Sequence, residues 1–211
     1  MSCLYQFVFS INFFDKMKTN ETERKKNLRT FIGISMSEEM KEILAQIQQQ
    51  CQKNCKRGNF TEKQNFHMTL HFLGETTKYD LDGLKQAVYE TAQKKRAFAL
   101  KLNKIGIFRR EERGIIWVGV EENKEIFHLY EVLERNLSKQ GFAREKKPLR
   151  PHITLVREAV PYGCFLQMEK NVVVEQREIL VESITLFEST RIKGKLLYRP
   201  IFTQNLIKKN L

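Results

Sequence analysis

Two copies of a short pattern, each with one histidine and one threonine, are the most informative feature of the sequence. Residues 67–70 read HMTL and residues 152–155 read HITL. Each copy lies in a short apolar run typical of a β-strand, in which alternate side chains share one face. His67 therefore shares a face with Thr69, and His152 shares one with Thr154. Two such strands, brought together, would surround one small cavity with two imidazoles and two hydroxyls.

This set of side chains suits acid–base chemistry on a phosphate. Histidine exchanges a proton near neutral pH, so a protonated and a neutral imidazole can serve together as general acid and general base. Threonine hydroxyls donate to phosphate oxygens, and Arg150 and Arg157, which flank the second motif, would add charge-assisted hydrogen bonds. Such donors stabilise the negative charge of a pentacoordinate phosphorus transition state. Because no carboxylate cluster is needed, the sequence predicts chemistry without a metal.

Other imidazole and aromatic side chains have simpler alternative roles. Strand alternation puts His71 on the same face as His67, so it is a candidate groove residue, although a partly exposed spectator is the simpler interpretation. His128 is predicted to be a surface residue of a helix. Phe108 and Trp117 have ring faces on which a base could stack, but core packing is the simpler expectation for Trp117.

The hydrophobic pattern predicts an α+β fold in which each motif strand follows a helix and a basic loop. Predicted strands cover residues 28–34, 66–73, 98–102, 115–120, 148–157, 179–187 and 196–202, and predicted helices follow an N-cap at Ser37 and cover residues 79–94 and 126–137. Residues 56–63 are predicted to form a loop. The repeated order indicates two related lobes around a central groove, each with an antiparallel sheet flanked by helices.

The first part of the chain is predicted to lie outside this domain. Residues 4–14 are mostly apolar, but no basic residue precedes them and no small-residue cleavage site follows, so they make a poor signal peptide. A charged run then extends to residue 27. We expect a weakly ordered N-terminal extension over residues 1–27 and a single bilobal domain over residues 28–211.

Composition favours a globular protein with an anionic partner. The chain of 211 residues has 37 Lys and Arg against 25 Asp and Glu, a net charge of +12, which favours RNA or another nucleic acid. The cysteines are Cys3, Cys51, Cys55 and Cys164; no second Cys/His pair with zinc-finger spacing appears, so reduced thiols in a cytoplasmic protein are expected. No apolar stretch is long enough to span a membrane. No obligate protein partner is predicted, and we expect a monomer.

Two longer segments resemble a known superfamily. Residues 66–74, FHMTLHFLG, and residues 150–157, RPHITLVR, resemble the two signatures of the 2H phosphoesterases. Residues 29–34 and the segment 186–198 are similar to the branch of RNA 2′,3′-cyclic phosphodiesterases, once called 2′-5′ RNA ligases. The likeness covers about residues 28 to 205. It implies a bilobal fold with pseudo-twofold symmetry around the groove.

The resemblance also implies an activity and roles for the motif residues. The reaction would be hydrolysis of an RNA 2′,3′-cyclic phosphate to a 2′-phosphate, without a cofactor. His67 would donate a proton to the departing 3′ oxygen, and His152 would be the base that activates water. Thr69 and Thr154 would hold the phosphate, with Arg157 as a further candidate. Bacterial members of this branch are cytosolic.

Two other functions stay open at the level of sequence. A 2H enzyme acting on another nucleotide, such as a 2′-5′ oligoadenylate or an ADP-ribose cyclic phosphate, would carry the same motifs, because specificity lies in the loops. An RNA-binding protein without turnover could keep the fold, although two intact motifs argue against it.

Overall fold

The computed structural model describes residues 27–208. The predicted extension, apart from its last residue, lies outside the described residues. None of the helices in the described part of the chain is long and apolar enough to cross a membrane.

Strands supply the largest share of the described chain. They are β1 (Leu28–Ser35), β2 (Cys55–Phe60), β3 (His67–Thr76), β4 (Phe98–Arg110), β5 (Arg113–Val120), β6 (His152–Pro161), β7 (Glu178–Val181), β8 (Ser183–Ile192) and β9 (Lys195–Asn205). The helices are α1 (Glu38–Lys53), α2 (Asp80–Ala92), α3 (Lys124–Lys139) and the short α4 (Phe165–Asn171). The α+β class predicted from the sequence is confirmed.

The start of α1 agrees with the sequence pattern. The Ser37 hydroxyl accepts a hydrogen bond from the Met40 amide at 3.2 Å, which satisfies one of the free N–H groups at the helix N-terminus. Glu38 and Glu39 lie in the first turn, where the helix dipole favours negative charge. The buried side of the helix carries Met40, Leu44, Ile47 and Cys51.

The strands form one curled sheet made of two antiparallel halves. Its order is β7-β4-β5-β6-β3-β1-β8-β9, and β2 pairs with the free side of β6. The halves meet where β3 and β6 share one residue pair, Met68 with Ile153. Helices α2 and α3 pack on each other, and α2 also covers β8 and β9, whereas α1 packs on β2 and β6. Both motif strands therefore lie at the centre of the molecule.

One strand occurs where a loop was predicted. Residues 56–63 were expected to be irregular, but β2 covers most of this segment and pairs with β6 from Cys55 to Phe60. Its sequence, CKRGNF, has no alternation of apolar and polar residues because it is an edge strand with mostly exposed side chains. The hydrophobic pattern therefore gave no strand signal there.

The predicted strand over residues 179–187 is in fact two strands. β7 pairs with β4 in one half of the sheet, and β8 pairs with β1 in the other half. The chain crosses from one half to the other at Glu182, between the two strands. The hydrophobic pattern of the sequence does not reveal this crossing, because both strands contribute buried apolar residues to the same core.

Both motif strands contain a β-bulge at the same position. The pairing of β1 with β3 passes from Gly33↔Thr69 to Ile32↔His71, so Leu70 is an extra residue. The pairing of β5 with β6 passes over Leu155 in the same way. A bulge reverses the alternation of the side chains that follow it. As a result, Phe72 and Arg157 point away from the core although flat strands would bury them.

Gly33 allows β1 to lie close to the first motif strand. A Cβ atom at this position would lie 2.6 Å from the main-chain oxygen of Met68. We predict that Gly33→Ala lowers the free energy of unfolding by about 1–3 kcal/mol, since backbone has to shift to relieve the overlap. Gly163→Ala is the matched control because a Cβ atom there meets nothing within 4 Å. Chemical denaturation measures both; equal stability of the two variants would contradict the close approach.

Candidate active site

The two motifs lie on opposite sides of a single point of contact. In antiparallel pairing, the residues on either side of a paired couple also face each other. The Met68–Ile153 pair therefore brings His67 toward Thr154, and Thr69 toward His152. All four of these side chains are half-buried and lie on the strand face opposite the core.

The peptide backbone orients both imidazoles in the same way. His67 Nδ1 donates to the main-chain oxygen of Asn65 at 2.7 Å, and His152 Nδ1 donates to that of Arg150 at 2.6 Å. A carbonyl oxygen only accepts, so each Nδ1 carries a hydrogen and each Nε2 is the atom that is free to exchange a proton. In the neutral ring of His67, Nε2 accepts from the Thr69 hydroxyl at 3.0 Å.

An aromatic cage surrounds His67. The ring centroids of Phe31 and Tyr198 lie 4.7 Å and 4.8 Å from that of the imidazole, and that of Phe187 lies 6.2 Å away. The cage combines β1 with the two last strands of the chain. Asn65, which holds the ring through its carbonyl, is itself fixed because its side chain accepts from the Tyr198 amide at 3.0 Å.

His152 has a more open aromatic neighbourhood. Phe108 lies edge-on at 5.0 Å and Trp117 at 6.0 Å, both measured between ring centroids. The expectation that Trp117 packs in the core is wrong, since the indole is half-buried beside the second motif. Gly106 makes room for it, because a Cβ atom there would lie 2.2 Å from the indole ring.

Both histidines favour the neutral form. Burial lowers the pKa of His67 to about 4, and the positive charges of Arg157 and His152 act in the same direction, although the hydrogen bond to Asn65 opposes the shift. Burial also lowers the pKa of His152, with the hydrogen bond to Arg150 opposing and Arg157 contributing. At neutral pH, both rings are therefore unprotonated and Nε2 is an acceptor.

The groove consists of two adjoining cavities that share Thr69, Phe72 and Arg110. The cavity beside His152 has a volume of about 640 Å³, and the one beside His67 has a volume of about 750 Å³. The predicted residue Arg150 lines the first and Arg157 lines the second. The structure thus brings both predicted histidines, Thr69 and both predicted arginines around one groove. Thr154 is not among the lining residues, and the Met68–Ile153 pair places it beside His67.

His71 was predicted to share the groove face, and this prediction is wrong. Because the bulge at Leu70 turns it inward, its side chain is only 5% exposed and Nδ1 contacts the carboxylate of Glu134 on α3. That carboxylate also accepts from the main-chain amide of Glu145 at 3.0 Å. His71 therefore helps to hold the segment that leads into the second motif. His128 is exposed on α3, as predicted.

Several groove residues were missed in the sequence. Phe72 is 46% exposed between the two cavities, with the guanidinium of Arg29 5.2 Å from its ring centre. Arg191 also lines the groove. A signal was available in β6, where Leu155 and Val156 are consecutive apolar residues followed by two charged ones. That break in alternation is typical of a bulge.

The structure gives no group of three or more His, Cys, Asp or Glu side chains suited to metal binding among the residues it describes. Cys51 and Cys55 are free and buried, and Cys164 is free and exposed. Burial raises the pKa of the Cys51 thiol to about 12, so its thiolate is scarce at neutral pH.

Comparison with known proteins identifies the family. The profile of the family described as LigT like Phosphoesterase matches residues 34–117. A relative from Aeropyrum pernix is 30% identical over 145 residues, which cover 67% of this chain and 80% of the relative. The chain belongs to the LigT-like phosphoesterases. The resemblance to the 2H superfamily drawn from the two motifs is therefore confirmed.

Further LigT-like relatives and structures agree with this assignment. A protein from Aquifex aeolicus is 30% identical, and the match covers 63% of this chain and 71% of that protein. A protein from Thermotoga maritima is 26% identical, and the match covers 83% of this chain and 94% of that protein. Both, like the Aeropyrum protein, are named RNA 2′,3′-cyclic phosphodiesterase. The Thermus thermophilus protein TT0787 has a TM-score of 0.73 at 22% identity, covering 87% of this chain and all of that protein. E. coli LigT complexed with 3′-AMP has a TM-score of 0.68 at 24% identity, covering 86% and 99%. These structures support the bilobal fold.

The lowered pKa of His67 predicts a pH-dependent stability. As the pH falls below 6.5, the ordinary pKa of histidine, His67 becomes protonated in the unfolded chain. In the folded chain it becomes protonated only near pH 4, because its pKa is lowered to about 4. The free energy of unfolding should therefore fall on acidification through this range, by on the order of 3 kcal/mol from this residue.

Denaturation at a series of pH values tests this expectation. In His67→Gln the contribution of the imidazole is absent, so stability should fall less steeply between pH 6.5 and pH 4.5. His128→Gln, at an exposed histidine, should follow the unaltered protein. If His67→Gln and His128→Gln gave the same slope, the pKa of His67 would not be lowered by burial.

Proposed function

We propose that the protein hydrolyses the 2′,3′-cyclic phosphate at the end of an RNA to a 2′-phosphomonoester. The observation that carries this proposal is the pair of imidazoles, each fixed through Nδ1 by a backbone carbonyl and each directing Nε2 to one basic groove. The names of the LigT-like relatives support the choice of substrate. The catalytic domain in this proposal covers residues 28–211.

The reaction needs one acid and one base. His152 Nε2 takes a proton from water while the water oxygen attacks phosphorus, and the bond from phosphorus to the 3′ oxygen breaks. His67 Nε2 gives its proton to that oxygen, which leaves a 2′-phosphate on the ribose. Thr69, Thr154 and Arg157 hold the non-bridging oxygens and stabilise their growing negative charge.

Substrate binding favours the uptake of a proton from solvent by His67. The pKa of His67 is about 4 because the imidazole is buried beside positive charges. A phosphate anion next to Nε2 favours the protonated ring and raises this pKa again. In this proposal His152 faces the attacking water, and His67 faces the leaving 3′ oxygen. His152 therefore stays neutral, and the two similar histidines take different roles.

The proposed chemistry involves no metal ion. Arg157 and Arg110 line the groove next to the motif residues, so positive charge for the transition state comes from the protein. A cytoplasmic location and a monomeric state remain predictions from the sequence.

Other substrates of the 2H type use the same chemistry. A 2′-5′ oligoadenylate or an ADP-ribose cyclic phosphate could reach the same histidines, so a substrate panel with product analysis discriminates between them. An RNA-binding protein without catalysis would bind the cyclic end and leave it intact.

The two histidines should each be needed for turnover. We predict that His67→Ala and His152→Ala each lower kcat on an oligoribonucleotide with a 2′,3′-cyclic phosphate by roughly 10²–10⁴-fold, the usual contribution of a general acid or base. The double variant should lose far less than the product of the two, because the residues act as a unit. His128→Ala is the matched control and should keep full activity.

The product and the pH profile make this test specific. Chromatography against 2′- and 3′-phosphate standards should show only the 2′-phosphate, and the bell-shaped pH profile should lose one limb in each single variant. Near-normal turnover of either His→Ala variant would make that histidine structural and overturn the proposal.

Turnover should also survive chelation. The groove supplies arginine side chains where a metal enzyme would hold a divalent cation, so excess EDTA should leave kcat/KM unchanged within experimental error. A tenfold loss that added Mg²⁺ or Mn²⁺ restores would instead show that a metal ion takes part.

A further inference from the structure

The two cavities of the groove differ in chemistry. The cavity beside His67 is lined by four arginines, and no Asp or Glu is among its lining residues in the described chain; the arginines are Arg29, Arg110, Arg157 and Arg191. The nearby carboxylate of Glu188 accepts from Arg199 Nε at 3.0 Å and is therefore already neutralised. This cavity is suited to a second phosphate in addition to the one held between the motifs.

The cavity beside His152 has apolar walls. Phe108, Ile115, Tyr130 and Leu149 line it, and its charged residues are one acid, Glu145, and the bases Arg110, Lys147 and Arg150. Its volume of about 640 Å³ lies in the range of sites that hold small organic groups. Flat aromatic and aliphatic surfaces, with a carboxylate among the basic side chains, suit a nucleobase better than a phosphate.

Phe72 and Arg29 separate these two environments. Phe72 lines both cavities, and the Arg29 guanidinium lies over its ring on the side of the arginine-lined cavity. A ligand that spans the groove therefore has an apolar part on one side of Thr69 and an anionic part on the other.

The covalent structure of a nucleotide has the same two sides. The base is attached at C1′, next to C2′, whereas the 5′ phosphate is attached through O5′ and C5′ to C4′, next to C3′. If His67 protonates the 3′ oxygen, the C3′–C4′ side of the ribose faces the cavity of His67. We propose that the arginine-lined cavity binds the phosphate on the 5′ side of the terminal nucleotide, and that the apolar cavity beside His152 binds its base.

This inference rests on the proposed function and adds a direction for the RNA strand. The inference makes Arg191 a specificity residue, because Arg191 lines the cavity assigned to the 5′ phosphate and belongs to neither motif. Arg191 lies near the tip of the β8–β9 hairpin. One of its N–H groups donates to the Gly194 oxygen at 3.0 Å, which leaves the others for a phosphate.

Two substrates that differ only at the 5′ position test the proposal. Adenosine 2′,3′-cyclic phosphate has a 5′ hydroxyl, and its 5′-phosphorylated counterpart adds one phosphate without a second nucleoside. The unaltered protein should favour the phosphorylated substrate in kcat/KM by about tenfold, the scale of one charge-assisted hydrogen bond. Arg191→Ala should lower this preference about fivefold.

Two further variants separate the cavities. Ile115→Ala, in the apolar cavity, should lower kcat/KM for both substrates by the same factor, since both carry the base. Arg135→Ala, at an exposed arginine on α3 outside the groove, should change neither substrate. An equal kcat/KM for the two substrates in the unaltered protein would overturn the proposal, as would a preference that depends on Ile115 and not on Arg191.

A binding measurement keeps the proposal independent of catalysis. If the protein turned over neither substrate, the proposed function would fail, and the comparison would pass to adenosine 2′-phosphate and adenosine 2′,5′-bisphosphate. Tighter binding of the bisphosphate that Arg191→Ala weakens supports the assigned direction, and equal Kd values for the two compounds overturn it.

Discussion

One extra residue in each motif strand decides which side chains reach the groove. The bulges at Leu70 and Leu155 each put two consecutive residues into the core and so reverse the alternation that follows. Without them, Arg157 would point into the apolar core and His71 would stand beside His67. The same constraint exposes Phe72 between the two cavities. The groove therefore owes the charge of Arg157 and its central aromatic ridge to a backbone irregularity that occurs twice.

The second constraint is the hydrogen-bond acceptor that contacts Nδ1 of each imidazole. Both Nδ1 atoms bond to backbone carbonyls and not to carboxylates. A carboxylate would stabilise a protonated ring without any bound anion, whereas a carbonyl orients the ring with less effect on its charge. The environment of the groove then controls the charge state, and a bound anion becomes the main influence that favours protonation.

The sequence predicted the motifs, the fold class and the two histidines because these depend on local patterns. Residue types and period-two alternation were enough to place His67, Thr69, His152 and Thr154 on one face. The positions of His71 and Phe72 could not follow from alternation, since a bulge breaks its period. β2 was missed because an exposed edge strand has no apolar face, and Arg191 was missed because only the tertiary fold brings its hairpin to the motifs.

The path of the chain between the two halves of the sheet has a consequence for biosynthesis. Phe187 and Tyr198, which enclose His67, belong to the last two strands, and β8 must pair with β1 to complete the first half of the sheet. When both motifs of a growing chain have emerged from the ribosome, the chain still lacks these aromatic side chains around His67. It also lacks the hydrogen bond from the Tyr198 amide to Asn65. The groove is thus completed only after β9 has emerged, so a chain that stops between the second motif and β9 carries both histidines without the surroundings that set their protonation.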